Sequence, residues 1–151
     1  VCLVPENRQE ITTEGGLDVA SQVKRLTNVV KEFHDDGIKV SMFIDPDAEQ
    51  VDASAATGAD SVELHTGAYA NADENTIGAE FDRLAVAAKL AVDNGLLFHA
   101  GHGLTVRNLE PIAAIPDLRE VNIGHDIIGR ALFIGLEAAV LEILNILEKY
   151  S

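Results

Sequence analysis

The run Leu96-Leu97-Phe98-His99-Ala100-Gly101-His102-Gly103-Leu104 decides how this chain folds. An apolar stretch over residues 96–100 reads as a strand, and it stops in a glycine–histidine–glycine turn. Before it, residues 75–93 carry Phe81, Leu84, Ala88 and Ala91 at helical spacing, and Asn94-Gly95 closes that helix. After it, residues 105–115 read as another helix, which Pro111 deforms or divides. Strand and helix therefore alternate around this run.

The same alternation extends in both directions. Strands are expected at 1–4, 38–44, 61–65 and 120–123, and helices at 18–36, 47–57 and 126–150, the last broken near Gly129 or Gly135. The stripe Val19, Val23, Leu26, Val30 and Phe33 buries one face of helix 18–36, and Gly37 and Gly58 end the first two helices. No two strands are joined by a two-residue hairpin, so the sheet is expected to be parallel and covered by helices. Its strands read as apolar runs, the pattern of strands buried on both faces. Five β-α units suit a five-stranded doubly wound sheet or the last five-eighths of a (β/α)8 barrel. The sequence opens without methionine, inside a strand, which favours a barrel whose first three units are absent. Residues 1–151 are expected to form a single domain.

Composition narrows the function. With 11 Lys+Arg against 25 Asp+Glu, the formal charge is −14, which excludes a general nucleic-acid binder and disfavours anionic membranes. A single cysteine permits no internal disulfide, and cysteine and histidine show no zinc spacing, so a reducing cytoplasmic setting is expected. Residues 131–147 are the most apolar stretch, but Glu137 and Glu142 interrupt it, as in a buried helix and not a membrane span.

In parallel α/β proteins ligands bind at the carboxyl ends of the strands. Four of the five histidines fall at or just past such ends: His65, His99, His102 and His125. Gly101-His102-Gly103 and Gly124-His125 follow the last two strands, where barrels often hold phosphate on backbone amides and a helix N-terminus. His102 is either a turn residue or a general acid–base. Glu63 lies in a strand expected to be buried, so its carboxylate is either paired, with His65 as one partner, or kept for proton work. Thr12 and Thr13 cap a helix or hold a loop, and Arg8 is a solvated residue or a phosphate contact. Cys2 reads as a structural buried thiol, and His34 as a solvated residue near a helix end. Tyr69 with Asp73-Glu74 forms a lid or, more simply, the start of a helix.

The segments LVPENRQEITTEGGLDV, ELHTGAYA, HAGHGLTVRNLEPIAAIP and VNIGHDIIGRALFIGLEAAV closely resemble the pyridoxine 5′-phosphate synthase family, from Val1 to the C-terminus. The resemblance implies a TIM (β/α)8 barrel, of which this chain supplies the last five units. It implies condensation of 1-deoxy-D-xylulose 5-phosphate with 3-amino-2-oxopropyl phosphate, without metal or organic cofactor, in a homo-octamer. Carried over by motif, His102 matches the proton donor, and Gly103, Gly124, His125 and Thr12 match substrate- or phosphate-binding positions. Glu63 lies where the family has a further carboxylate. His99 is given no catalytic role.

The family's proton-accepting groups and several substrate-binding residues belong to its first three strands. The resemblance therefore implies that residues 1–151 hold phosphate but do not complete the reaction alone. Two alternatives stand beside it. One is a different phosphate-binding barrel enzyme, such as an aldolase or isomerase, although Lys39 lies at the wrong end of its strand for an aldolase lysine. The other is a non-catalytic fragment that binds a phosphate ligand.

Overall fold

A computed structural model of the chain describes residues 1–5 and 15–150. Strands β1 (Cys2–Leu3), β2 (Ser41–Ile44), β3 (Ser61–His65), β4 (Leu97–Gly101) and β5 (Leu118–Asn122) form one sheet in the order β1-β2-β3-β4-β5. Every neighbouring pair is parallel. A doubly wound sheet reverses its order at a switch point. Here each strand lies beside the next in sequence, and parallel crossovers share one hand, so the helices must all fall on one side. This is the arc of a (β/α) barrel.

Period-two alternation separates the two faces of the arc. Met42, Ile44, Val62, Leu64, Phe98 and Ala100 point to the helices and are at most 1 % exposed. They pack in one apolar cluster with residues such as Leu26, Val30, Leu84 and Ile112. Ser41, Ser61, Glu63, His99 and Asn122 instead line the inner face. The expectation of strands buried on both faces holds for β2 and β3, down to Ser61 and Glu63, although, Phe43 apart, their inner residues are polar. The edge strands β1 and β5 leave most of their residues only partly covered.

The helices differ from expectation mainly in their ends. A 3-10 turn at Ala20–Gln22 precedes α1 (Val23–Asp35), and α2 (Ala48–Ala56) follows β2. The short α3 (Gly67–Asn71) was not expected; α4 (Ile77–Asp93) was. The helix expected over 105–115 shrinks to α5 (Leu109–Ala113), because Asn108 ties the preceding residues into a turn by accepting from the Thr105 amide at 2.7 Å. The last helix breaks at Gly135, whose φ of 84° suits glycine, into α6 (His125–Ile134) and α7 (Leu136–Leu147). Gly129 stays inside α6. The buried helix expected over 131–147 is not seen: α6 buries none of its residues, and α7 buries only Ala139 and Ile143. Leu132 and Phe133 are more than four-fifths exposed, since no described element packs over that face.

Tyr69 is not part of a lid. It is 3 % exposed and donates its hydroxyl to the Asn108 carbonyl at 2.9 Å. Asp73 holds the turn that leads into α4, accepting from the amides of Asn75 and Thr76. His34 bonds Asp60 Oδ2 at 2.8 Å. The Val40 amide, and after it the hydrogen bond from His34, hold the Asp60 carboxyl below its usual range despite partial burial.

Phe98 anchors the central face of β4. Phe98→Ala should cost about 3–5 kcal/mol through lost transfer energy and the cavity left behind. Urea denaturation followed by circular dichroism measures this as a lower midpoint at unchanged slope.

Candidate active site

Strand register assembles the site. Ile44 pairs with Leu64, and His65 pairs with Gly101. Asp45 follows β2, His65 ends β3 and His102 follows β4, and their side chains stand in a row, with His65 bonded to Asp45 and its ring against that of His102. At the end of β5, Gly124 precedes the first turn of α6. The first amides of a helix have no acceptor within it, so they and the helix dipole favour an anion.

A cavity of about 810 Å3 opens over these strand ends. Glu63, His102, Gly103, Gly124 and His125 all line it, together with Phe43, Thr105, Asn122 and Asp126. Five of the six candidate residues thus meet in one place. The sixth, Thr12, lies outside the described residues, as do Arg8 and Thr13. No Lys or Arg is among the described lining residues, so the donors available to an anion there are backbone amides, imidazoles and neutral side chains such as Thr105 and Asn122.

His102 adopts φ 79°, the left-handed region that costs a non-glycine residue about 1–2 kcal/mol. The turn is held from below. The buried Thr66 hydroxyl lies within hydrogen-bond distance of the Gly101 carbonyl (2.8 Å) and of the His102 carbonyl. Gly103 follows with φ 76°, and a Cβ there would lie 2.7 Å from Ala70 Cβ. A larger residue would force the loop off α3.

Glu63 is 8 % exposed. Its Oε2 accepts from Asn122 Nδ2 at 3.0 Å and lies 3.6 Å from Cys2 Sγ. A Cβ on Gly101 would fall 2.0 Å from Glu63 Oε1, so the carboxyl rests on a glycine floor. Burial raises its pKa, and Glu120 nearby adds to the rise, while the Cys2 and Asn122 contacts oppose it. The Cys2 thiol is pushed up to about 11, first by burial and then by the Glu63 charge. Cys2 is therefore a poor nucleophile; the residue, on an edge strand, is exposed and not buried as expected, while its thiol is turned onto Glu63 and partly covered there.

His65 does not pair with Glu63. Its Nδ1 lies 2.9 Å from Asp45 Oδ1, because a side chain at the last position of β3 reaches the neighbouring strand's end sooner than the level below. His99 faces the inner cavity beside Glu120, and burial lowers its pKa against the pull of that carboxylate. Asp45, Thr66 and Asn122 are the contributors that sequence reasoning missed. In sequence, Asp45-Pro46 marks only the end of strand 38–44, and the alternation of Glu120 and Asn122 is the available signal for the latter.

Residues 1–149 match the family model described as pyridoxal phosphate biosynthesis protein PdxJ. The chain belongs to the PdxJ family. A pyridoxine 5′-phosphate synthase of Magnetococcus marinus is 53% identical over 149 residues, covering 98% of this chain and 61% of the relative. That of Aliivibrio fischeri is 51% identical over 148 residues, covering 97% and 61%. The chain thus spans about three-fifths of the length of these PdxJ relatives, close to the share that five of eight barrel units represent. Among solved structures, the Amycolatopsis orientalis BexX/CysO complex contains a chain of similar fold, with TM-score 0.56 and 18% identity, covering 89% of this chain and 52% of that one. Among the described residues no helix is long and apolar enough to cross a membrane.

Glu63 gives a pH signature. Its folded pKa is raised above the ordinary 4.5, so the folded state holds the proton where the unfolded chain has lost it. Its contribution to stability is complete below pH 4.5 and is lost as pH rises through the folded value. Glu63→Gln keeps an acceptor for Asn122 and removes the charge. Denaturation curves across pH 4–8 should lose that part of the decline, leaving the variant the more stable protein at neutral pH.

Proposed function

We propose that this chain is the substrate-holding, C-terminal five-eighths of a pyridoxine 5′-phosphate synthase, which condenses 1-deoxy-D-xylulose 5-phosphate with 3-amino-2-oxopropyl phosphate. The products are pyridoxine 5′-phosphate, inorganic phosphate and water. One observation carries the reading: Glu63, His102, Gly103, Gly124 and His125 line a single cavity at the carboxyl ends of the strands. The family match and the names of its relatives supply the substrate class.

The reaction needs imine formation, loss of phosphate and water, and a closing carbon–carbon bond. Each step moves a proton, so several acid–base groups must share one pocket. In this reading His102 donates protons to leaving oxygen atoms, and its raised position on a strained turn presents the ring to the cavity. Glu63, its pKa raised by burial, keeps its proton to higher pH than a solvated carboxyl and is placed to exchange it with substrate. Gly103, Gly124 and His125 receive a phosphate, whose charge the α6 N-terminus favours. Thr12 binds substrate. The net charge of −14 repels phosphorylated substrates at long range, so these local donors must dominate once a substrate arrives. The remaining acid–base groups come from the part of the barrel outside residues 1–151, and the assembled enzyme is a cytoplasmic homo-octamer that needs no cofactor.

The test joins this chain to the remaining length of a relative, such as the Magnetococcus marinus protein, and supplies both substrates. Pyridoxine 5′-phosphate should appear by chromatography. His102→Asn should lower kcat by roughly 100-fold or more, the range of general acid catalysis, with phosphate affinity by calorimetry largely kept. Loss of phosphate binding in that variant would make His102 a ligand and not an acid. No product from the joined wild-type protein would refute the reading.

A further inference from the structure

Behind His102, away from the cavity, stands a group that the proposed reaction has not used. His65 is only 12 % exposed in its side chain, and its Nδ1 lies 2.9 Å from Asp45 Oδ1. Its ring meets the His102 ring with centroids 4.7 Å apart and planes at 61°. The ring of Phe43 also meets it, at 5.2 Å and 64°. A Cβ on Gly67 would fall 2.6 Å from His65 Nε2 and 3.1 Å from His102 Cδ2. Glycine at position 67 therefore leaves the space in which the two imidazoles sit together.

We propose that Asp45 and His65 are positioning residues that set the orientation of the His102 ring. The carboxylate accepts the Nδ1 proton of His65, which fixes both its tautomer and the angle of its ring. Phe43 holds the ring on another side. Held this way, the ring is a rigid edge against which His102 packs, so the strained His102 backbone presents one ring orientation to the cavity. The His65 Nε2 is buried and accepts no hydrogen bond among the described residues. An apolar ring would fill the same space without burying an unpaired nitrogen, so packing alone does not account for histidine here. The bond to Asp45 does. The row Asp45, His65, His102 comes from three adjacent strand ends, and the first two do not line the cavity. The inference rests on the reading of His102 as the site's proton donor, but its test does not need turnover.

The experiment labels this chain with 15N-histidine and reads the imidazoles by long-range proton–nitrogen correlation. At a pH above their titration, His65 should carry its proton on Nδ1 and leave Nε2 bare. In Asp45→Ala, His65 should revert toward the Nε2-protonated form that free imidazole favours, and the His102 ring signals should move with it. Asp45→Asn, whose amide oxygen still accepts a hydrogen bond, should restore both. The distant His34 serves as the control and should not change. A His65 proton on Nε2 in the wild-type chain overturns the proposal, as does a His102 ring unmoved by Asp45→Ala. If Asp45→Ala disturbs all the imidazoles together, Asp45→Asn decides: wild-type signals for His65 and His102 support the proposal, and anything else overturns it. Failure here leaves the synthase reading to its own assay, and failure of that assay leaves these tautomers measurable.

Discussion

The register between parallel neighbours carries the structure. Each strand of the arc is paired to the next in sequence, and the pairing Ile44 with Leu64 and His65 with Gly101 levels the strand ends. A slip of one residue in β3 would turn Leu64 inward and Glu63 into the apolar core. The buried helix-facing row of Met42, Ile44, Val62, Leu64, Phe98 and Ala100 prevents it, since exposing that row would cost several kcal/mol of burial. Core packing therefore fixes the positions of polar groups that contribute little to the core themselves.

The inner face shows the other side of the same constraint. Once apolar residues are committed to the helix side, the alternate residues must face the concave surface, and there most are polar: Ser41, Ser61, Glu63, His99 and Asn122. Burying a carboxyl among them raises its pKa and that of the thiol beside it. Glycine does particular work at two places. Gly101 makes room for the Glu63 carboxyl, and Gly67 makes room for two imidazoles. In both, an absent side chain is what leaves room for a neighbouring functional one.

The α6–α7 region contrasts with this order. Its apolar residues, Leu132 and Phe133 above all, are exposed, although their composition is that of a buried helix. Composition records what a helix can bury and not what covers it. The PdxJ relatives are longer than this chain, and the sheet has two unpaired edges among the described residues. Both observations concern the same side of the arc's geometry: a barrel buries its edges only when it closes.

Much of this was legible in sequence. Strand 61–65 was read to the residue, because apolar alternation and flanking breakers mark a short strand sharply. The glycine–histidine turns pointed to the site because strand ends in parallel sheets are where ligands bind. What sequence alone determined was periodic and local: which segments are strands, which are helices, and that His102, Gly103, Gly124 and His125 follow strands. What only the tertiary structure decided was non-local: that His65 meets Asp45 and His102 and not Glu63, that Asn122 and Cys2 hold Glu63, and that the helix expected at 105–115 yields to a turn. These depend on register and on which neighbour reaches first, and hydrophobic periodicity carries no information about either.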